Sequence, residues 1–218
     1  MYNKYIDHTI LKAFATEQDI VKLCHEALEY DFASVCVNPV NVSLASKLLA
    51  GSDVLVCTVI GFPLGANTIE TKQAETIDAV NNGAEEIDMV INVAKAKEHN
   101  FDYLYEEIKA VVSCAQGKLV KVIIETCYLN DYEKVEACKA AALAGAQFVK
   151  TSTGFGTGGA TVEDVQLMRE NILADMSVKA SGGIKNLSDL EKMVAAGANR
   201  IGTSSGIQIM KDFQERKN

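Results

Sequence analysis

The sequence predicts an α/β protein, read first as a (β/α)8 barrel formed by a single domain over residues 1–218. Three observations lead there. Short β-branched runs alternate with longer helix-periodic segments along the whole chain, which implies right-handed βαβ units and a parallel sheet. Eight such runs occur, and a 218-residue chain holds eight units at the compact end of barrel size. One junction formula also recurs, in Asn82-Gly83-Ala84, Ala144-Gly145-Ala146 and Ala196-Gly197-Ala198. Each puts glycine at a helix end, where a positive φ is needed, followed by a short link into a strand. A doubly wound open sheet fits the same alternation, so periodicity leaves both open.

The expected strands are 5–9, 33–37, 54–60, 86–91, 119–125, 148–151, 177–180 and 200–203. The third stops at Gly61-Phe62-Pro63-Leu64-Gly65, most simply a turn. Between the strands, apolar residues recur three and four apart, as in Ile20, Leu23, Cys24, Ala27 and Leu28, or Val135, Cys138, Ala141 and Ala142. With only Pro39 and Pro63 as prolines and no Ser/Gly-rich linker, nothing marks a domain boundary.

Composition narrows the function. Lys and Arg total 21 against 29 Asp and Glu, a net charge of −8. An acidic chain argues against nucleic-acid or membrane-surface partners, since phosphate backbones and anionic lipids repel it. An anionic substrate must then be held by local groups. The six cysteines show no C-x-x-C spacing and mostly sit in apolar runs, which argues against a disulfide framework. The N-terminus lacks a signal-like apolar core and no apolar run approaches the ~18 residues of a span, so the expected location is cytoplasmic. Three scattered histidines offer no metal-ligand spacing, and no metal site is expected.

In a barrel the site lies where strands end. Those positions supply Asp7, Asn38, Gly61, Asp88, Asn92, Glu125, Lys150, Lys179 and Gly202 with Ser204 and Ser205, and Lys121 lies inside an apolar run. Lys150 and Lys179 end consecutive strands and should project into one cavity. Two neighbouring ammonium groups cannot both stay charged cheaply, so one pKa should fall and leave an amine able to attack a carbonyl. The plainer reading pairs these lysines with carboxylates such as Glu125. Asp88 needs a cation or a proton inside its strand, and is either a proton shuttle or a structural ion pair. Three loops rich in glycine and hydroxyls follow the late strands: 151–156, 180–184 and 202–206. Their backbone amides suit a phosphate. His8 and Cys36 read as packing or polar lining.

Eight motifs, in order, resemble the deoxyribose-phosphate aldolase family. They are Ile6-Asp7-His8-Thr9, Val35-Cys36-Val37-Asn38-Pro39, Gly61-Phe62-Pro63-Leu64-Gly65, Glu86-Ile87-Asp88-Met89-Val90-Ile91-Asn92, Leu119-Val120-Lys121-Val122-Ile123-Ile124-Glu125-Thr126, Val149-Lys150-Thr151-Ser152-Thr153-Gly154-Phe155, Val178-Lys179-Ala180-Ser181-Gly182-Gly183-Ile184 and Arg200-Ile201-Gly202-Thr203-Ser204-Ser205. The resemblance implies a (β/α)8 barrel. It also implies reversible cleavage of 2-deoxy-D-ribose 5-phosphate to acetaldehyde and D-glyceraldehyde 3-phosphate, with no metal or organic cofactor. By position, Lys150 resembles the Schiff-base lysine, Lys179 the lysine that assists it, and Asp88 the proton-moving carboxylate. Asp7 and Cys36 match pocket-lining positions, and Thr153, Gly154, Gly182, Gly183, Gly202, Ser204 and Ser205 match substrate- and phosphate-holding loops. Such a protein would take a small phosphosugar and an aldehyde, and the family commonly forms homodimers. Some members carry a lysine where this chain has Phe155, and some end in a tyrosine that this tail lacks. Another Schiff-base phosphosugar aldolase and a non-catalytic phosphometabolite-binding barrel are the alternatives.

Overall fold

The computed structural model describes residues 2–217. Eight parallel strands close on themselves in chain order. They are β1 (Ile6–Ile10), β2 (Ser34–Val37), β3 (Leu55–Ile60), β4 (Glu86–Val90), β5 (Leu119–Ile123), β6 (Phe148–Lys150), β7 (Ser177–Ser181) and β8 (Arg200–Thr203). Closure is made by β1 against β8, with Asp7 opposite Gly202. The open-sheet alternative is thereby excluded, and every expected strand lies within one or two residues of its place.

Helices fill each return. They are α1 (Glu17–Glu29), α2 (Val42–Leu48), α3 (Ile69–Asn81), α4 (Val93–Lys97), α5 (Phe101–Cys114), α6 (Asp131–Leu143), α7 (Val162–Glu170), α8 (Leu187–Ala195) and α9 (Gly206–Lys217). Local chemistry sets their ends. Thr16 with Asp19, and Asn130 with Glu133, form reciprocal capping boxes that satisfy the first amides of α1 and α6. Gly83, Gly145 and Gly197 have φ of 104°, 85° and 110°, as the recurring junction required.

Period-two alternation divides the strand residues between two interiors. Val35, Val37, Ile87, Met89, Val120, Val122, Val149, Val178 and Ile201 point outward into one continuous core with helix residues such as Ile20, Leu23, Leu104 and Ile108. Each such side chain contributes about 1.5–3 kcal/mol on burial. The alternate residues fill the barrel. On one side these are apolar: Leu11, Cys36, Cys57 and Val59 with Phe62. On the other they are the charged residues of β1, β4, β5, β6, β7 and β8. All six cysteines are free.

Candidate active site

Strand register assembles the site. Lys150 and Lys179 are direct partners across β6 and β7, and Asp88 and Lys121 are partners across β4 and β5. All four face the lumen, where they meet over Asp88. Its Oδ2 accepts from Lys150 Nζ at 2.8 Å and Lys179 Nζ at 2.7 Å; its Oδ1 accepts from Lys121 Nζ at 2.9 Å and from the Cys57 thiol at 3.1 Å. Lys179 also pairs with Asp7 at 2.5 Å, and Lys121 with Glu86 at 2.7 Å. Arg200 spans Asp7, through its Nε at 2.7 Å, and Glu86, at 2.8 Å. Gly202 is required beside this group: a Cβ there would lie 2.3 Å from Ser181 Oγ and 3.0 Å from Lys179 Cε.

Burial and charge compete in this cluster, and charge prevails. Burial would raise Asp7, but Lys179, Arg200 and Lys121 hold it below the usual carboxylate range. Burial likewise opposes ionisation of Asp88, yet Lys121, Lys150 and Lys179 hold it well below. Burial would lower Lys179, and Asp7 with Asp88 instead hold it above an ordinary lysine. Of the two lysines, Lys179 is therefore the one that keeps its charge, because two carboxylates surround it.

An open cavity of about 850 Å³ sits on top of the cluster, within the usual range for a small-molecule site. Lys150, Thr153, Gly154, Gly182, Gly183, Gly202, Ser204 and Ser205 all line it, so the late-strand loops converge as expected. Lys179 and Asp88 do not line it; both are fully buried beneath Lys150. Asp7 and Cys36, which the resemblance set on the pocket wall, also lie below, at 0% and 1% exposure. Their strands enter the barrel one layer deeper than the loop residues. Gly159 and Gly182 touch backbone to backbone, since a Cβ at Gly159 would come 2.4 Å from the Gly182 carbonyl oxygen. That contact ties the loop after β6 to the loop after β7.

Ser204 and Ser205 immediately precede α9, so the partial positive end of that helix faces the cavity. Lys185 lines the same corner beside Gly183. Together they form an anion corner on an otherwise acidic molecule.

Glu125 does not pair with the lysines. Its backbone is left-handed, with φ 54°, and its carboxylate accepts from the Thr153 amide at 3.1 Å and from the Thr153 hydroxyl. The same hydroxyl oxygen accepts the Phe155 amide at 3.0 Å. Thr153 thus shapes the loop as well as lining the cavity. Phe155 stands at the mouth, edge-on to Phe62 with ring centroids 5.3 Å apart. His8 also lines the cavity and bonds Glu26 at 2.8 Å; its Nδ1 has no partner.

Sequence reasoning missed several residues. Ser181 has a buried, unpartnered hydroxyl and lines the cavity. Glu86 and Arg200 were passed over, although each lies two residues before a chosen lumen residue, Asp88 or Gly202, and so shares its face. In the tail, Arg216 pairs with Glu191 of α8 and Phe213 packs edge-on against Tyr2. Asn218 lies outside the described residues. Cys36, Cys57 and Asp88 alone among the described residues approach metal-ligand geometry, but Lys121, Lys150 and Lys179 already occupy the carboxylate.

Comparison with known proteins bears on this arrangement. The model of the family described as DeoC/LacD family aldolase matches residues 2–212. Deoxyribose-phosphate aldolase of Streptococcus gordonii is 62% identical over 209 residues, covering 96% of this chain and 95% of its own. That of Clostridium perfringens is 61% identical over 207 residues, with 94% and 92% covered. Among solved structures, QR15, an aldolase, superposes with a TM-score of 0.94 at 43% identity, over 99% of this chain and 96% of its own. The deoxyribose phosphate aldolase of Aeropyrum pernix, described as a tetramer, does so at 0.92 and 35% identity, over 98% and 91%.

Proposed function

This chain belongs to the DeoC/LacD family of aldolases, and from that membership we propose that Lys150 forms the imine with the substrate aldehyde. The reaction is the reversible cleavage of 2-deoxy-D-ribose 5-phosphate to D-glyceraldehyde 3-phosphate and acetaldehyde, a carbon–carbon lyase reaction. One observation carries the assignment of Lys150. Of the three lysines around Asp88, it is the one that lines the cavity, while Lys121 and Lys179 are fully buried.

Neutral Lys150 Nζ adds to the C1 carbonyl, and loss of water gives a protonated imine. A base takes the C3 hydroxyl proton, the C2–C3 bond breaks, and its electron pair moves into the enamine. Glyceraldehyde 3-phosphate leaves. A proton added at C2 restores the imine, and water releases acetaldehyde and the free amine. Asp88 is the proton carrier beneath these steps, because its Oδ2 is bonded to Lys150 and Lys179 at once. While Lys150 is a neutral amine or enamine, Asp88 faces one cation fewer and accepts a proton more readily.

The substrate phosphate takes the corner formed by Gly154, Gly182, Gly183, Gly202, Ser204, Ser205 and the start of α9, with Lys185 at its edge. Ser181 Oγ is free to meet a sugar hydroxyl. The active form is read as a homo-oligomer, a dimer first; the tetrameric Aeropyrum relative supports assembly. A cytoplasmic location belongs to the same proposal. Among the described residues, no helix is long and apolar enough to cross a membrane.

Borohydride trapping tests the assignment. Incubation with acetaldehyde, reduction and peptide mass analysis should place the adduct on Lys150. An adduct on Lys179 or none at all overturns it.

A further inference from the structure

The charged groups beneath Lys150 close into a ring. Arg200 pairs with Asp7, Asp7 with Lys179, Lys179 with Asp88, Asp88 with Lys121, Lys121 with Glu86, and Glu86 with Arg200 again. Signs alternate around it, so three cations meet three carboxylates and the ring is formally neutral. Lys150 hangs from Asp88 at 2.8 Å as a seventh, unbalanced charge.

We infer that Arg200 and Glu86 are positioning residues that tune the charge state of Lys150 by keeping the ring beneath it neutral. Neither lines the cavity, and neither pairs with Lys150. Uncompensated charge is costly where water is excluded. Deprotonating Lys121 or Lys179 would take a cation from two buried carboxylates and break the alternation of the ring, whereas deprotonating Lys150 takes one from Asp88 alone and leaves the neutral ring intact. The free amine that imine formation needs is therefore the one the ring releases most readily.

The other groups facing Lys150 do not disturb this tally. From β2 and β3 come the Cys36 and Cys57 thiols, the latter donating to Asp88. From β1 comes His8, bonded to Glu26 of α1, and past the end of β5 comes Glu125, bonded to Thr153. Lys12, Asp19, Lys22 and Lys185 line the open cavity, where solvent screens them.

This inference rests on the reading of Lys150 as the imine residue, and one experiment separates the two. The rate of borohydride-trapped labelling by acetaldehyde is measured from about pH 5 to 10 in the unsubstituted chain, in Glu86→Gln, in Arg200→Gln and in the double variant. Glu86→Gln leaves the ring with net charge +1, so the acid limb of the profile moves down by about one pH unit. Arg200→Gln leaves it at −1, and the limb moves up by a similar amount. The double variant is neutral again and returns to the unsubstituted profile. A structural role alone lowers rates without opposite shifts. If Arg200→Gln fails to fold, the downward shift of Glu86→Gln and its cancellation in the double variant still carry the test. Labelling at Lys150 with unmoved or same-direction midpoints overturns the inference; no label at Lys150 in the unsubstituted chain overturns the imine reading itself.

Discussion

Lys150 and Lys179 occupy paired positions on adjacent strands and bond the same oxygen of Asp88, yet only Lys150 reaches the cavity. Sequence distance makes the two look alike. The structure makes one of them a reactive end and the other a buried counter-charge. Asp7 holds Lys179 from below, while among the described residues nothing negative besides Asp88 pairs with Lys150.

Removing each lysine should therefore have different consequences for stability. Lys150→Ala deletes the unbalanced charge, so turnover is lost while urea unfolding stays close to that of the unsubstituted chain. Lys179→Met leaves Asp7 and Asp88 short of a buried cation and costs about 3–5 kcal/mol besides activity. Paired urea titrations check this; equal destabilisation by both would contradict it.

Thr153→Val removes the hydroxyl that donates to Glu125 and accepts the Phe155 amide. The carboxylate keeps its bond from the residue 153 amide, so the barrel folds at a cost of about 1–3 kcal/mol. The loop after β6 loses its anchor at the cavity, so KM for the phosphosugar should rise several-fold while kcat changes less. Steady-state kinetics read the split directly.

A second buried ion pair holds the far side of the barrel mouth. Lys72, fully buried, donates to Glu107 at 2.6 Å, to the Val90 carbonyl at 2.7 Å and to the Gly65 carbonyl at 2.9 Å. Burial lowers Lys72 and raises Glu107, so each ion depends on the other. Lys72→Met should cost about 3–5 kcal/mol, and adding Glu107→Leu should recover much of it. Chemical denaturation of single and double variants measures the recovery.

His8 gives stability a pH dependence. Burial holds its pKa below the ordinary histidine value, against the opposing pull of Glu26. The unfolded chain then binds more protons near pH 6, so this contribution is present above about pH 6.5 and lost as pH falls through the lower folded value. Unfolding free energy should decline between about pH 7.5 and 5.5, and His8→Gln should flatten the slope. An unchanged slope in that variant would assign the effect to other groups.

The architecture was legible because strand length, alternation and the three glycine junctions are local properties, and each lies where backbone sterics demand it. The lysine pair was legible for the same reason: two residues ending consecutive strands must be neighbours. Depth within the barrel was not. Whether Lys150 or Lys179 meets the cavity depends on the tilt of β6 against β7 and on the loops above them, which no local pattern encodes. The contact of Arg200 with Asp7 joins residues 193 positions apart through barrel closure, and only the closed sheet brings them together. The plainer reading that paired the lysines with Glu125 does not hold, because the left-handed backbone of Glu125 turns its carboxylate toward Thr153.

The depth of the ring also determines what dissolved salt can influence. Counter-ions reach the phosphate corner, which opens on the cavity mouth, and weaken attraction there over a Debye length of about 8 Å at physiological ionic strength. They do not reach Asp7, Asp88, Lys121 or Lys179, each at 0% exposure. Capture of the sugar phosphate thus answers to the ionic medium, while bond breaking proceeds in an electrostatic setting that the protein carries with it from one solution to the next.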